Sequence, residues 1–540
     1  MFATARRAGS SLLLLGCLSC AGGFASESRS NVPEPARALR AGELVARGRV
    51  FHDEDADGRR GARERGLPGV LVSNGSEIAI TDAEGRYALP IDPEDAIVFV
   101  LKPRDWSTPL DSFETPRFAY LHRPRGSPQA LRPHGVAPSG PLRASIDFPL
   151  RPRPEPERFE VLLFGDTQPR SLADIDLLAR DVIAGLAGSR AAFGLSLGDL
   201  VHDDLALFEP LDELLATLRI PWYRAIGNHD LDLRAGGDAD SDDSFESRYG
   251  PATYAFQYGP AHFIVLDDVH YHGARADGSP GGYRAGLTSA AMRFLGAYLA
   301  QVPRGELVVV AMHIPPDRLD PDEQRAFFGL LSGHPLALSL SAHTHLQEHR
   351  FFGPEVGYAA GEHHHLNVGT TSGGWWLGAE DESGIPVALM RCGAPKGWWR
   401  LRVDGARYAL DFRASRRPAA YQMQIHVPGR VRAEDAAATE VVVNVFAGSP
   451  RDRVEMRLGE GSEWIPLARE PRFDPFYLEQ GARESRWLPR ERRLPPPAKS
   501  PHLWVGRLPA LPPRGTSLLE VRSVDLFGRE LSARRPIAIE

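Results

Sequence analysis

The sequence predicts a central α/β layered domain that lies between two β-rich domains. Its 540 residues suggest about three domains, and 42% hydrophobic with 25% charged residues is ordinary for a folded protein. In the middle of the chain, apolar strands alternate with amphipathic helices, whereas both flanks are short alternating runs separated by Gly, Pro, Asn and Asp. We place the domains at 42–150, 157–372 and 373–540, after a leader at 1–25.

The leader has the pattern of an export signal. A positive pair at residues 6–7 precedes an apolar run at 10–18 that is too short to span a bilayer comfortably. The sequence Leu-Leu-Gly-Cys ending at Cys17 resembles a bacterial lipobox, in which a lipidated Cys17 tethers the protein to a membrane. Cleavage after Ala25 is the alternative. We therefore expect an extracytoplasmic protein that is periplasmic, secreted or lipid-anchored at the cell envelope.

The region 42–150 is predicted to form a small β-sandwich, because it has strand and turn signals without a long helical period. Four acidic residues fit the spacing of a calcium loop, namely Asp53, Asp55, Asp57 and Glu64. The run 66–87 resembles the B-type β-sandwich repeats of bacterial surface proteins, in which similar acidic loops bind structural calcium. We expect a calcium ion that stabilises the fold and takes no part in catalysis. An acidic surface turn is the alternative.

The central region contains apolar strands separated by helical segments, as in a sheet that is buried on both faces. The predicted strands are 159–164, 193–197, 221–226, 262–266, 307–312 and 336–340, and the predicted helices are 172–186 and 205–218. After residue 373 the pattern returns to strands and turns, as in 408–412 and 441–445, and no further helix is expected. The one cysteine of the body, Cys392, is expected to be a buried small hydrophobe.

Five blocks of polar residues follow these apolar strands. They are Gly165-Asp166-Thr167-Gln168, Gly198-Asp199-Leu200-Val201-His202-Asp203, Gly227-Asn228-His229-Asp230, His313-Ile314-Pro315-Pro316 and Ser341-Ala342-His343-Thr344-His345. Layered α/β sheets place their sites at this edge. Two divalent ions about 3.5–4 Å apart need oxygen and imidazole ligands with a bridging carboxylate, which is the mixture found here. A Gly before the Asp or Asn of the first three blocks is expected to allow a sharp turn off the strand.

These blocks resemble the five motifs of the calcineurin-like metallophosphoesterases. The resemblance implies a four-layer α/β/β/α core, and an exported bacterial subgroup of this family also has an N-terminal sandwich and a dedicated C-terminal domain. It implies one divalent transition metal ion, Mn, Fe or Zn, held by Asp166, Asp199 and His345, and a second held by Asp199, Asn228, His313 and His343. It also implies that His229 protonates the leaving oxygen. Asp203 is a candidate for orienting His229.

Two positions depart from the family pattern. Gln168 stands where most members have a metal-ligating His, and Ala342 replaces the usual Gly before the last His-x-His. Gln168 is kept as a candidate metal ligand with a weaker amide donor. Trp375 and Trp376 could wall the active site, but an interdomain core is the preferred interpretation. The run His363–His365 is expected to be a solvated or strand-end cluster.

The predicted function is hydrolysis of a phosphomonoester or phosphodiester by a metal-bound hydroxide, with His229 as general acid. The substrate is expected to be a small phosphoester or an envelope polymer. A net charge of −7 argues against general nucleic-acid binding. Two alternatives remain open: a surface glycan- or protein-binding protein with a vestigial phosphoesterase core, and a metal-dependent nuclease.

Overall fold

The computed structural model describes residues 39–40, 42–131 and 134–540. All of these belong to one compact unit, Pro35–Glu540. The predicted leader at 1–25, including Cys17, lies outside the described residues. Among the residues that are described, no helix combines the length and the apolar character needed to cross a membrane.

The N-terminal region contains the strands β1 (Val45–His52), β2 (Leu71–Ser73), β3 (Ile78–Ile80), β4 (Arg86–Pro90), β5 (Ala96–Val100), β6 (Trp106–Ser107), β7 (Ala119–His122) and β8 (Phe148–Pro152). They form two sheets with the orders β4-β1-β8-β6 and β3-β2-β5-β7. Along β1 the alternate residues Ala46, Gly48 and Val50 are buried. This period of two is what turns one face of a strand towards a core.

The central region contains two larger sheets and a hairpin. Its strands are β9 (Arg158–Phe164), β10 (Phe193–Leu197), β11 (Trp222–Ala225), β12 (Tyr254–Tyr258), β13 (Ala261–Val265), β14 (Val269–Tyr271), β15 (Tyr283–Ala285), β16 (Leu307–Ala311), β17 (Ala337–Ser341), β18 (Gln347–Phe352), β19 (His363–Val368), β20 (Gly397–Asp404) and β21 (Arg407–Ala414). The first sheet has the order β11-β10-β9-β20-β21 and the second β12-β13-β16-β17-β19-β18, while β14 and β15 pair separately.

Helices cover the outer faces of these two sheets. They are α1 (Leu172–Asp181), α2 (Phe208–Ala216), α3 (Asp243–Tyr249), α4 (Ser289–Leu299) and α5 (Pro321–Leu331). On the first sheet, Asp212 of α2 pairs with Arg224 of β11 at 2.7 Å. On the second, the ring of Phe328 in α5 packs against Phe352 of β18 with centroids 5.0 Å apart. The predicted α/β fold with a four-layer α/β/β/α core is confirmed.

The two central sheets pack face to face through aromatic side chains. The ring of Phe193 on β10 lies 5.4 Å from Phe256 on β12 and 5.0 Å from Phe263 on β13. All three side chains are buried. Ring pairs at such distances add about 0.5–1.5 kcal/mol beyond the area they bury. This contact holds the two sheets against each other.

The C-terminal region is mostly β-structure. Its strands are β22 (Met423–His426), β23 (Arg430–Val431), β24 (Glu440–Val445), β25 (Arg453–Leu458), β26 (Ile465–Pro466), β27 (Ala468–Arg469), β28 (Arg472–Phe473), β29 (Lys499–Ser500), β30 (Leu503–Arg507), β31 (Gly515–Val524) and β32 (Glu530–Ile539). The expectation that no helix follows residue 373 is wrong, since α6 spans Pro475–Glu484. Asp474 caps this helix by accepting from the N–H of Tyr477, and Pro475 occupies its first turn.

Strands β20 and β21 belong to the first central sheet although they lie beyond the predicted boundary at residue 373. Strand β20 pairs antiparallel with β9, so that Arg400 lies opposite Leu162. The boundary therefore divides a sheet. One hydrophobic core extends from the N-terminal sandwich through the central region, while a separate core lies within 423–539.

Candidate metal centre

Five loops meet at one edge of the central sheets. They follow β9, β10 and β11 in the first sheet and β16 and β17 in the second, and within each sheet these strands are parallel. Carboxyl ends of parallel strands lie at the same edge. The predicted site residues consequently contact one another there, namely Asp166, Gln168, Asp199, Asp203, Asn228, His229, His313, His343 and His345.

The first cluster consists of Asp166, Asp199 and His345, whose ligand atoms all lie within 4.8 Å of one another. Nε2 of His345 lies 3.4 Å from Oδ1 of Asp166. Oδ1 of Asp166 and Oε1 of Gln168 are buried and have no hydrogen-bond partner among the described residues. A buried oxygen left unpaired costs about 1–3 kcal/mol. The cluster therefore suits a cation that these oxygens can bind.

Gln168 lies inside this centre. Its Nε2 donates to Oδ2 of Asp199 at 2.5 Å, and its main-chain N–H donates to the carbonyl of Asp199. This orientation leaves Oε1 as the oxygen available to a metal. Gln168 thus holds the carboxylate of Asp199, and its Oε1 is a candidate metal ligand where the family pattern has an imidazole nitrogen.

The second cluster consists of Asp199, His313 and His343. Nε2 of His313 lies 3.3 Å from Oδ1 of Asp199, 3.2 Å from Oδ1 of Asn228 and 3.2 Å from Nδ1 of His343. Nδ1 of His313 donates to the carbonyl of Leu197 at 2.8 Å, which directs Nε2 into the cluster. Asp199 belongs to both clusters, as a bridging carboxylate must.

The electrostatics of the centre favour positive charge. Burial alone would lower the pKa of His313, but the carboxylates of Asp199 and Asp166 outweigh burial and raise this pKa to about 10. Burial, together with repulsion from His313, lowers the pKa of His343 to about 3, so its imidazole is neutral. A neutral imidazole can donate its lone pair to a metal. The donor set fits two divalent cations that share Asp199.

The backbone of the site is strained at the candidate site residues themselves. Positive φ angles occur at Asp166 (40°), Gln168 (37°), Asp199 (51°), Asp203 (64°), His343 (62°) and His345 (59°). Such angles are uncommon outside Gly and cost about 1–3 kcal/mol each, so the surrounding structure must stabilise them. Among the described residues, Ala342 is not one of the positions with positive φ, which explains why Ala is tolerated there.

The glycines that precede Asp166, Asp199 and Asn228 do not all make the sharp turn that the sequence predicts. Only Gly198 has a positive φ, 87°. Gly165 and Gly227 are needed for close approach, because an added Cβ would lie 2.6 Å from Cγ2 of Val368 and 2.9 Å from Cα of Asp199, respectively. The sharp turns are therefore made largely by the candidate site residues, and two of the glycines provide space.

His229 lies beside the two clusters. Its main-chain N–H donates to Oδ1 of Asp199 at 2.9 Å, and its Nδ1 is hydrogen-bonded to Oδ1 of Asp203 at 2.7 Å. Burial lowers the pKa of His229, but the hydrogen bond with Asp203 and the charge of Asp199 outweigh it and raise this pKa. The ring of His202 stacks on His229 with centroids 4.4 Å apart. Nε2 of His229 is thus left to act on a substrate.

Two buried aspartates at this edge had no role assigned to them from the sequence. Asp230 accepts from the N–H groups of Gly227 and Val201, and Asp268 accepts from the N–H groups of His313 and Ile314. Each carboxylate therefore fixes the loop that carries a ligand. Asp268 follows β13 by three residues, so the signal of a polar residue after an apolar strand was present there too.

Trp375 and Trp376 occupy different environments. Trp376 is buried, with Nζ of Lys396 5.2 Å from its ring centroid. Trp375 is half-buried, and its ring centroid lies 4.4 Å from that of His345. The expectation of an interdomain core is therefore wrong for Trp375, because the loop after β19 brings it to the metal centre.

The run His363–His365 is buried in the first half of β19. Nε2 of His363 and Nδ1 of His365 both lie within hydrogen-bonding distance of Oγ of Ser339 on β17. Burial lowers the pKa of all three imidazoles, that of His363 to about 3. The solvated alternative is wrong because the three residues are buried, whereas a position at the start of a strand agrees with the strand-end alternative.

The N-terminal acidic loop brings only part of its predicted set together. Asp53, Asp55 and Asp57 offer ligand atoms within 4.8 Å of one another. Glu64 lies outside this cluster, because its two oxygens accept from the N–H groups of Glu54 and Gly61. Asp53 is 3% exposed, and its Oδ1 has no hydrogen-bond partner in the described part of the chain.

Three family models match the chain. The one described as calcineurin-like phosphoesterase matches residues 159–347, and those for the N terminal and the C terminal of calcineurin-like phosphoesterase match 54–131 and 364–531. No curated protein matches the sequence.

Two solved structures share limited similarity with the chain. A purple acid phosphatase isolated from yellow lupin (Lupinus luteus) seeds is 11% identical with a TM-score of 0.34, over 68% of this chain and 66% of its own. A superoxide reductase (neelaredoxin) from Ignicoccus hospitalis is 15% identical with a TM-score of 0.14, over 22% of this chain and 81% of its own.

Proposed function

The chain belongs to the calcineurin-like phosphoesterases and is a metal-dependent phosphoesterase, and we infer that it hydrolyses a phosphomonoester or phosphodiester and, from its leader pattern, that it does so outside the cytoplasm. The observation that carries the proposal is the pair of clusters that share Asp199. Asp166, Gln168 and His345 would complete the site for one divalent transition metal ion, and Asn228, His313 and His343 the site for the other. Mn, Fe and Zn suit this mixture of oxygen and imidazole donors.

Two such ions, when bound, polarise a phosphoryl oxygen and lower the pKa of a bound water towards about 7. The protein itself supplies the proton that the leaving oxygen needs. His229 donates from Nε2 to the leaving oxygen, while Asp203 holds Nδ1 and stabilises the protonated ring. Asp199 fixes the position of His229, because its Oδ1 accepts a hydrogen bond from the main-chain N–H of His229.

The pattern of an export signal in the first 25 residues supports an extracytoplasmic location. The substrate would then be an envelope polymer, a nucleotide or a phospholipid headgroup. Mass spectrometry of the mature N-terminus from an exporting host tests this proposal. A lipid on Cys17 supports an envelope anchor, a terminus after Ala25 supports a free form, and an uncleaved chain contradicts export.

We also propose a structural calcium ion at Asp53, Asp55 and Asp57. The unpaired buried Oδ1 of Asp53 supports it, because a cation would satisfy this oxygen. The site lies in the N-terminal sandwich and shares no residue with the two clusters of the metal centre, so the ion would act on stability only.

The hydrolytic proposal is tested by metal content and turnover together. The mature protein is purified without chelator, its metals are quantified, and p-nitrophenyl phosphate and bis-p-nitrophenyl phosphate are assayed with added Mn²⁺, Zn²⁺ or Fe²⁺. Asn228→Ala and His229→Ala are compared with His426→Ala, which changes a histidine of β22 in the C-terminal region.

About two metal ions per chain, with turnover that depends on Asn228 and His229 but not on His426, are expected. No turnover with any metal would contradict the proposal and favour a binding protein with a vestigial core. Hydrolysis of nucleic-acid polymers in preference to nucleotides would instead identify a nuclease.

A further inference from the structure

Two aromatic side chains from separate segments reach the histidines of the last motif. The ring of Tyr283, at the start of β15, lies 6.0 Å from His343 and nearly perpendicular to it, at 82°. The ring of Trp375 lies 4.4 Å from His345 at 46°. His343 and His345 belong to different metal clusters, so one aromatic ring stands beside each cluster.

Neither ring is fully buried in the core. Tyr283 is 41% exposed, in contrast to its strand partner Tyr271, which is 2% exposed. Trp375 is half-buried, whereas its neighbour Trp376 is 3% exposed. Nε1 of Trp375 is buried and has no hydrogen-bond partner among the described residues, so this N–H does not belong to the accessible part of the ring. Large rings that stay accessible beside a catalytic centre are available to contact a substrate.

The position of Trp375 is held by several contacts. Its φ is +55°, which is unfavourable for a bulky side chain and persists only where neighbours enforce it. Nη2 of Arg170 donates to the carbonyl of Trp375 at 2.8 Å. Earlier in the same loop, Oγ of Ser372 donates to the carbonyl of Asp166 at 2.9 Å. The loop that presents Trp375 is therefore tied directly to the first metal-binding motif.

The position of Tyr283 is likewise supported. It pairs with Tyr271 in the hairpin formed by β14 and β15. The main-chain N–H of Tyr271 donates to Asp238, and its hydroxyl donates to the carbonyl of Leu233. The hairpin is thus fixed at its inner strand, while Tyr283 lies on the outer strand next to the metal centre.

We propose that Tyr283 and Trp375 wall the subsite for the alcohol part of the substrate, and that they select phosphoesters whose alcohol carries a flat aromatic ring. This inference rests on the proposed phosphoesterase function. Stacking of a flat ring on an aromatic side chain changes affinity by about 5- to 150-fold. An open-chain alcohol, such as that of glycerol phosphate, offers no flat face and gains little from the two rings.

The test uses esters of matched chemical reactivity. Phosphate esters of 2-phenylethanol and n-butanol both have alkyl leaving groups and differ in the aromatic ring, and each is assayed as the monoester and as the methyl diester. Adenosine 5′-monophosphate and its methyl diester form a third arm, which distinguishes a nucleobase from a simple aryl group. Tyr283→Leu and Trp375→Leu are compared with the conservative Tyr283→Phe and Trp375→Phe variants.

Each Leu variant is expected to lose about tenfold in kcat/KM on ring-bearing esters, mainly through KM, and to lose a smaller factor on butyl esters, which contact the same two side chains without stacking. The Phe variants should retain most of the wild-type value, which separates stacking from misfolding. Equal losses on both ester classes, or a wild-type enzyme that prefers butyl esters, would overturn the inference. If the metal-loaded wild type hydrolyses p-nitrophenyl esters but none of these alkyl esters, the inference alone fails, and if it hydrolyses neither kind, the phosphoesterase proposal itself fails.

Discussion

Substituting Gly198 by Ala tests how the second cluster is built. An added Cβ would overlap Nδ1 of His313 and lie 2.7 Å from its Cγ, whereas ordinary carbon contacts are about 3.5–4.0 Å. The imidazole must therefore move by about 1 Å. The ring cannot move this far while Nδ1 keeps its hydrogen bond to the carbonyl of Leu197 and Nε2 stays 3.3 Å from Oδ1 of Asp199. A displacement of about 1 Å costs about 100-fold in rate.

The backbone cost of this substitution can be separated from the clash. Gly198 has a φ of +87°, and the surface glycine Gly305 has a φ of +97° with nothing within 4 Å of an added Cβ. Both Gly→Ala variants should lose about 1–2 kcal/mol of unfolding free energy from the left-handed conformation. Only Gly198→Ala should also displace His313.

For the wild type and the two Gly→Ala variants, the assay measures bound metal, kcat/KM on bis-p-nitrophenyl phosphate and the free energy of unfolding by chemical denaturation. Gly198→Ala is expected to hold fewer than two metal ions and to lose about 100-fold in kcat/KM. Gly305→Ala should keep its metals and its activity within about twofold, since it lies away from the site. A Gly198→Ala enzyme with full metal content and wild-type turnover would refute the proposed role of His313.

Further expectations concern the acid, the calcium loop and a buried carboxyl group. Asp203→Asn should lower kcat about 10- to 100-fold with unchanged metal content, because the protonated His229 loses its charged partner; loss of metal would contradict this. Calcium at 100 times its dissociation constant should stabilise the protein by about 2.7 kcal/mol in thermal unfolding, and Asp53→Asn should abolish the effect; an equal gain in the variant would exclude this site. Burial raises the pKa of Asp452 to about 6, so its proton stabilises the fold at low pH and this contribution is lost as the pH rises from about 4 to 6. Urea titrations at pH 5 and pH 7.5 measure this decline in the free energy of unfolding. Asp452→Asn should make the decline smaller by about 1–3 kcal/mol, and an equal decline in the variant and the wild type would disprove the assignment.

The catalytic edge was predictable because its signals are local. Each block needs only an apolar strand and the polar residues that follow it, and both are visible within about ten residues of sequence. Parallel strands then place their carboxyl ends together whatever the details of packing. For this reason Asp166, Asn228 and His343 could be named before their contacts were known.

Features that depend on distant contacts were missed or misjudged. Strands β20 and β21 join the central sheet through pairing with β9, where partners such as Arg400 and Leu162 are more than 200 residues apart. The position of Trp375 depends on its contact with Arg170, across a separation of 205 residues. Helix α6 was missed because its short amphipathic pattern stands among strand and turn signals.

The sequence by itself determined which residue types follow which strands, and hence the family, the α/β core and the candidate ligands. The tertiary structure decided how these residues are used. It alone shows that Gln168 holds Asp199 and that Trp375 and Tyr283 flank the two metal clusters. The physical reason is that residue type and hydrophobic period are carried along the chain, whereas hydrogen-bond partners and ring contacts arise only when remote segments pack together.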